Sequence, residues 1–305
     1  MTTTNDPAPS TFSRVLLAVD GSEHSLAGAQ LLASLAGRQE FEACAIAVLI
    51  PRNASLSSAL EAALDAVKQL LGAQGIAVKS ELLTGNPAEQ IVQFASGYEP
   101  DLILMGAKGL RSTLGILMGG VAQQVVEYSH WPVLVMRAPF KGLKQVLLVN
   151  DGSEYAWRAV EFLSRFPLPP GIQVKALHVL PPQPDPELMV KVWPLDLTVT
   201  SSLPLEDIEE SLKRQAELEE QEGQRLIADT AKALEGCGWN VAPLLLRGDA
   251  ASEIIDYARQ KEIDLIVTGS RGLGQVRGWL LGSVSRKLLH YAGCSVLMVR
   301  GPEED

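Results

Sequence analysis

The chain has 305 residues, of which 47% are hydrophobic and 20% charged, and its formal net charge is −10. This length suggests two domains, and the composition is ordinary for a globular protein with a full hydrophobic core. The acidic balance argues against a general nucleic-acid-binding surface or an anionic-membrane surface, because both favour basic patches. It leaves room for a single bound nucleotide, which backbone donors can hold against the global charge.

The three cysteines, Cys44, Cys237 and Cys294, lie far apart and form no C-x-x-C pair. We therefore expect no disulfide framework and a reducing, cytoplasmic setting. Residues 1–11 are polar, which predicts a disordered tail and no signal peptide. No apolar run reaches the roughly 18 residues that a membrane-spanning helix needs.

In the first part of the chain, apolar runs alternate with segments of helical periodicity. This alternation predicts strands at residues 14–19, 43–50, 77–83, 101–105 and 133–136, and helices at residues 22–37, 57–71, 87–96 and 120–129. Strands that alternate with helices predict a parallel sheet with helices on both faces.

The chain is an internal repeat. Residues 15–23 read V-L-L-A-V-D-G-S-E and match residues 146–154, V-L-L-V-N-D-G-S-E, at an offset of 131. Residues 101–106 read D-L-I-L-M-G and match residues 264–269, D-L-I-V-T-G, at an offset of 163. The offsets differ by 32 residues, so the second copy carries a net insertion of that size. We predict domains at residues 12–138 and 143–301, with the insertion at about residues 181–210.

The second copy repeats the order of elements. Its strands are predicted at residues 146–150, 174–179, 241–246, 265–268 and 296–299. A Glu- and Gln-rich stretch at residues 205–234 predicts a long helix before the third of these strands. This helix could bind a partner, or it could be a core helix with a wide solvated face.

Four residues mark the ends of equivalent strands. Asp20 and Asp151 follow the first strands, and Gly106 and Gly269 end the fourth strands. Ligands of open α/β sheets bind beyond the carboxyl ends of the strands, where the strand order reverses. If the first and fourth strands are neighbours across that point, these residues converge on one ligand crevice in each copy. An aspartate before Gly-Ser could instead cap a turn.

Residues 268–284, T-G-S-R-G-L-G-Q-V-R-G-W-L-L-G-S-V, carry the most specific pattern. Gly269, Gly272 and Gly282 are spaced G-x2-G-x9-G, and Ser283 follows at the start of a predicted helix. Ser283 is expected to be the N-cap, and a helix N-terminus offers free N–H groups to an anion. The pattern is not a Walker A loop, because the chain contains no G-x-x-x-x-G-K-[ST]. It is not G-x-G-x-x-G either, because position 277 after Gly272 and Gly274 is arginine. It predicts a phosphate-bearing ligand.

On these residues the chain resembles the universal stress protein family, as a tandem member of its ATP-binding branch. The resemblance implies an α/β fold of two Rossmann-like (adenine nucleotide alpha hydrolase-like) domains. Each would hold a five-stranded parallel sheet of order 3-2-1-4-5 with helices on both faces. It also implies that the two fifth strands pair within the chain about a pseudo-two-fold axis, and it is compatible with a homodimer.

The resemblance assigns an ATP site, with or without Mg²⁺, to each copy. In the second copy it implies contacts from Asp151, Val179, Thr268, Gly269, Arg271, Gly272, Gly282, Ser283 and Val284. In the first copy it implies contacts from Asp20, Val48, Met105, Gly106, Lys108, Gly109, Gly119, Gly120 and Val121. Gly120 stands where the family has serine or threonine, so we expect weaker binding there. Arg271 and Lys108 could instead be solvated loop charges.

The expected function is binding of an adenine nucleotide in a stress-response or regulatory role, without turnover, because no pattern assigns a base, a nucleophile or an attacking water. Two alternatives stay open: slow ATP hydrolysis or phosphotransfer, and a nucleotide-free interaction module that uses the acidic insertion. The four histidines have no metal-ligand spacing, and we expect no metal site built from protein side chains.

Overall fold

The structure is a computed structural model, and it describes residues 12–109, 118–184, 205–236, 238–273 and 281–300. The first half runs β1 (Arg14–Ala18), α1 (Glu23–Leu35), β2 (Glu42–Leu49), α2 (Ser57–Gly72), β3 (Ala77–Thr84), α3 (Pro87–Tyr98), β4 (Leu102–Gly106), α4 (Gly120–Tyr128) and β5 (Val133–Met136). The second half runs β6 (Gln145–Val149), α5 (Glu154–Arg165), β7 (Gln173–Leu180), α6 (Leu205–Glu235), β8 (Val241–Arg247), α7 (Ala250–Gln260), β9 (Leu265–Gly269), α8 (Ser283–Tyr291) and β10 (Ser295–Val299).

The strands form a single sheet of order β3-β2-β1-β4-β5-β10-β9-β6-β7-β8. Within each half the strands are parallel and follow the order 3-2-1-4-5, which confirms the predicted topology. The central strands are apolar at nearly every position, and β4, L-I-L-M-G, is buried at four of its five residues. Such runs are typical of parallel strands that helices cover on both faces.

The two halves meet where β5 and β10 pair antiparallel. Leu134 lies opposite Leu297, and the flanking pairs are Val135 with Val296 and Val133 with Met298. At the offset of 163, Leu134 and Leu297 are the same position of the two copies. This register is the one that a pseudo-two-fold axis between the two strands requires.

The sheet has a hydrophobic layer on each face, and both layers continue across the seam formed by β5 and β10. One layer lies under α1, α2, α5 and α6, and the other lies under α3, α4, α7 and α8. In the first layer the ring of Phe12, just before β1, packs edge-on against a ring of α5 and a ring at its C-cap, with centroid distances of 6.4 Å to Phe162 and 5.4 Å to Phe166. The halves therefore share apolar contacts as well as backbone hydrogen bonds.

Helix α6 has 31 residues, against 16 in its counterpart α2. It packs closely on the sheet at Gly223, where an added Cβ would lie 2.9 Å from side-chain atoms of both Leu180 and Leu245. Closer to the sheet edge, Arg247 donates to Glu219 Oε2 at 2.8 Å and to the Pro181 carbonyl at 3.0 Å. The C-terminal part of α6 is thus a core helix, while Leu218 is 55% exposed.

The predicted element bounds agree with the structure to within one or two residues. A 3₁₀ segment at Pro51–Leu56 was not predicted; Pro51 at its start favours such a turn, and Asn53 interrupts it with φ −119° and ψ 35°. The predicted tail at residues 1–11, most of the insertion, and Cys237 lie outside the described residues. Among the described helices, none combines the length and apolar character needed to cross a membrane.

Candidate functional site

Each half has a cavity at the carboxyl edge of its sheet. In the first half the cavity lies where β1 and β4 are neighbours, and in the second half where β6 and β9 are neighbours. These are the points where the chain order of the strands reverses, which is where open α/β sheets bind ligands.

The second-half cavity has a volume of about 300 Å³. All the candidate residues of the second copy line it: Asp151, Val179, Thr268, Gly269, Arg271, Gly272, Gly282, Ser283 and Val284. Its other walls come from Val149, Asn150, Ala156, His178, Ala250, Ile254, Leu273 and Ser285. The fold therefore brings together residues that are up to 133 positions apart in the chain (Asp151 to Val284).

The glycine at the end of β9 lets the strand approach α5 closely. A Cβ at Gly269 would lie 2.6 Å from the backbone carbon of Tyr155, a separation that no side chain could accept. The same glycine carbonyl accepts a hydrogen bond from Ser285 Oγ at 2.9 Å, and Gly282 N donates to the Ser270 carbonyl at 2.9 Å. These contacts fix the start of α8 against the end of β9.

The start of α8 differs from the prediction by one residue. Gly282, in an extended conformation with φ −66° and ψ 156°, is the N-cap, and no side chain caps the helix. Gly119 has the same role before α4. The predicted cap at Ser283 is wrong, because Ser283 already has helical geometry. Ser283 lines the cavity beside the free N–H groups of the first turn, so its hydroxyl is a candidate donor to a ligand.

Asp151 is held by backbone donors on both sides. Its Oδ1 accepts from Ser153 N at 3.0 Å, and its Oδ2 accepts from Leu273 N at 3.3 Å. The turn-capping interpretation is thus confirmed for one oxygen. The other oxygen faces Gly272, where an added Cβ would lie only 2.4 Å away. Gly272 leaves the space in which this carboxylate sits.

Arg271 rests on an aromatic ring. Its guanidinium lies 5.6 Å from the ring centroid of Tyr155, and its Nη1 donates to the tyrosine hydroxyl at 3.3 Å. The Arg271 carbonyl accepts from Ser153 Oγ at 3.4 Å. A cation held in this way on the cavity wall is suited to an anionic ligand group.

Asn150 and His178 also line the cavity. The buried Asn150 amide donates to Thr230 Oγ1 at 2.9 Å, and its Oδ1 accepts from Gly152 N at 2.8 Å. The Asn150 carbonyl lies 2.8 Å from His178 Nδ1. Because a carbonyl only accepts, this contact requires the proton on Nδ1. The Asn150 side chain is therefore satisfied by α6 and by its own turn.

The first-half cavity is larger, about 430 Å³. Among its wall residues are the candidates Asp20, Val48, Met105, Gly106, Gly109, Gly119, Gly120 and Val121. Lys108 is a candidate that the structure does not place on this wall; its carbonyl accepts from Ser22 Oγ at 3.0 Å. Thus the cation of the first copy is set apart from the cavity, whereas Arg271 lines its own.

Asp20 repeats the geometry of Asp151. Its Oδ1 accepts from Ser22 N at 3.0 Å, and an added Cβ at Gly109 would lie 2.6 Å from its Oδ2. Gly106 repeats the close approach of Gly269, since a Cβ there would lie 2.8 Å from Ser25 N. The two cavities share this frame and differ in their cations and in the hydroxyl at the helix start.

Sequence reasoning missed one wall of each cavity. In the first half the missed wall comes from the end of β2, the 3₁₀ segment and the start of α2, and it comprises Leu49, Ile50, Asn53, Leu56 and Leu60. In the second half the missed residues include Ala250 and Ile254 of α7. The signal that could have found Ala250 is its match to Pro87 at the offset of 163, because both open the helix after the third strand of their copy.

Comparison with known proteins agrees with this fold of two similar halves. The model of the universal stress protein family matches residues 11–137 and 142–300. A universal stress protein of Thermus aquaticus is 35% identical over 157 residues, which is 52% of this chain and 98% of that protein. One of Methanocaldococcus jannaschii is 33% identical over 162 residues, 53% of this chain and 85% of that protein.

A solved structure has the same fold over nearly the whole chain. A universal stress protein from Archaeoglobus fulgidus aligns over 97% of this chain and 99% of its own, with a TM-score of 0.66 at 20% identity. The family model matches twice, once in each half, and the two matches leave few residues outside them. The chain therefore belongs to the universal stress protein family.

Proposed function

We propose that the second-half cavity binds ATP and that this binding serves a stress-response or regulatory role. The observation that carries the proposal is the convergence of Asp151, Arg271 and the N-terminus of α8 on one cavity at the strand switch point. Free N–H groups at a helix start and a nearby cation attract phosphate, and a carboxylate suits ribose hydroxyls.

The cavity wall offers both apolar surface and polar donors. Val179 and Ile254 supply apolar surface for a base, while the first turn of α8, which begins at Ser283, offers backbone and hydroxyl donors for phosphates. A volume of about 300 Å³ is at the small end of the range for small-molecule sites, so the ligand's phosphates would extend toward solvent. Mg²⁺ would enter with the nucleotide, held mainly by phosphate oxygens.

Nucleotide binding accounts for the site better than catalytic turnover of the nucleotide. Asp151, the carboxylate on the cavity wall, has both oxygens engaged by backbone N–H groups, which suits orienting a ligand more than moving a proton. Slow hydrolysis would appear as ADP release above background that disappears in Asp151→Ala.

We propose a weaker site of the same kind in the first half. The frame of Asp20 and Gly109 is the same, but Gly120 adds no hydroxyl and Lys108 lies off the wall. We further propose two domains at residues 12–138 and 143–301 that stay paired in solution through β5 and β10. The free thiols of Cys44 and Cys294 fit a cytoplasmic setting.

The test is a calorimetric titration of ligand-stripped protein with ATP, with Gly282→Val beside the wild type. The valine methyl groups would stand at the start of α8, so affinity at the second-half site should fall at least tenfold, by about 1.4 kcal/mol or more. Gly97→Val is the matched control, because an added Cβ there meets nothing within 4 Å. Equal affinity in Gly282→Val and Gly97→Val would refute this site.

A further inference from the structure

Two arginines cross the seam between the halves. Arg137 follows β5 and Arg300 follows β10, and at the offset of 163 they are the same position of the two copies. Each reaches the C-terminal end of a helix in the other half. We call this pair of contacts the arginine clasp.

Arg137 of the first half binds the end of α8 in the second. Its Nη2 donates to the Leu289 carbonyl at 2.8 Å, and its Nε donates to the Cys294 carbonyl at 3.0 Å. Its backbone N donates to Ser295 Oγ at 3.1 Å. Arg137 is only 9% exposed, so this cation is buried among acceptors of the other half.

Arg300 of the second half makes the mirrored contact. Its Nη2 donates to the carbonyls of Val126 and Glu127, in the last turn of α4. Val126 and Leu289 are again equivalent positions at the offset of 163. The clasp is therefore reciprocal.

The clasp satisfies groups that a helix cannot satisfy alone. The last carbonyls of a helix lack intrahelical partners and form the negative end of its dipole, where a cation is favourable. Burial lowers the pKa of Arg137, and burial with the nearby Arg271 guanidinium lowers the pKa of Arg300 to about 10. Arg300 therefore remains charged at neutral pH.

The other ends of α4 and α8 are the starts of the two proposed phosphate sites. Each helix has nine residues, too few to be stable in isolation, so its position depends on what holds its ends. The start of α8 is held by the Ser285 and Gly282 bonds to β9 and its following residue, and its end is held by Arg137.

We propose that each half supplies a positioning residue for the ligand site of the other. Arg137 of the first half holds α8 so that its N–H groups face the second-half cavity, and Arg300 holds α4 for the first-half cavity. The inference rests on the proposed nucleotide binding. It predicts that a substitution at Arg137 weakens the distant site in the other half and spares the site in its own half.

The experiment isolates one site at a time. Gly109→Ala displaces Asp20 and weakens the first site, and Gly272→Ala displaces Asp151 and weakens the second; a site weakened in this way is called silenced below. With the first site silenced, Arg137→Met should raise the Kd for ATP about fivefold to tenfold, as expected for loss of a buried cation at a helix end. With the second site silenced, the same substitution should change Kd less than about twofold.

Arg137→Lys is the conservative control, since lysine keeps the charge and one donor and should recover at least part of the lost affinity. A purely structural role would weaken both sites alike or make lysine no better than methionine, and either result overturns the proposal. Hydrogen exchange gives a reading independent of ligand: Arg137→Met should speed exchange in the last turn of α8 and leave α4 unchanged. If wild-type protein binds no nucleotide, the proposed function fails, and unchanged exchange in α8 would separately refute the clasp.

Discussion

Gly272→Ala perturbs the candidate site without touching the core. The added Cβ would lie 2.4 Å from Asp151 Oδ2, whereas ordinary contacts begin at 3.4 Å, so the carboxylate must retreat by about 1 Å. The obstructing atom is the tip of a flexible side chain, so the fold can accommodate the methyl group. Gly272 does not have the positive φ that would forbid alanine.

The magnitude follows from the bonds that Asp151 makes. Retreat of Oδ2 breaks its contact with Leu273 N and removes it from the position proposed for a ribose hydroxyl. A hydrogen bond to a charged group contributes about 1.5–3 kcal/mol, so Kd for ATP at this site should rise about 10- to 150-fold. The bond from Ser153 N to Oδ1 survives, and the lost bond to Leu273 N is long and exposed, so the free energy of unfolding should change by less than about 1 kcal/mol.

The assay is calorimetric titration with ATP, paired with chemical denaturation of the same samples. Gly97→Ala is the matched control, because it adds the same methyl group on an exposed helix face with nothing within 4 Å. That variant should keep wild-type affinity and gain about 0.5–1 kcal/mol of stability. Unchanged Kd in Gly272→Ala would show that Asp151 does not bind the ligand. Loss of stability by several kcal/mol would show that the loop cannot absorb the methyl group.

Three further predictions use other parts of the molecule. Gly120→Ser, in open space at the start of α4, should tighten ATP binding at the first site about fivefold, because a hydroxyl hydrogen bond contributes about 1 kcal/mol. Ser283→Gly should weaken binding at the second site by a similar factor. Titrations that show no such opposite changes would mean that the hydroxyl is not the difference between the sites. Phe166→Ala should lower the free energy of unfolding by about 3–5 kcal/mol in denaturant titrations, because its buried ring packs on Phe12 across the seam; a loss under about 1 kcal/mol would contradict that packing. Desolvation raises the pKa of the partly buried Cys294 thiol to about 11, so at about pH 8 a variant with serine at the other two cysteines should react with a disulfide reagent at least tenfold more slowly folded than unfolded; equal rates would contradict this desolvation.

Periodicity and repetition were enough to predict the strands, whereas their order in the sheet was predicted from the resemblance to the family. The apolar runs of β4 and β9 are buried at nearly every residue, so a simple pattern identifies them as central parallel strands. The repeat then placed Asp151 and Gly269 at one switch point, and the structure has them on one cavity wall.

Features set by backbone angles or by tertiary contacts were harder to predict from the sequence. Ser283 has the side chain of an N-cap, but backbone dihedral angles assign that position to Gly282. Asn53 joins a cavity wall only because a 3₁₀ segment turns back over the sheet. Arg137 and Arg300 end similar strand motifs, yet their roles depend on the neighbouring half, which no local pattern contains.

The most direct test of the central claim is equilibrium titration of ligand-stripped wild-type protein with ATP. We predict saturable binding dominated by one site of higher affinity, with at least tenfold loss of that affinity in Gly272→Ala and none in Gly97→Ala. Absence of saturable binding at millimolar ATP would contradict the claim that this universal stress protein holds a nucleotide between Asp151 and the start of α8.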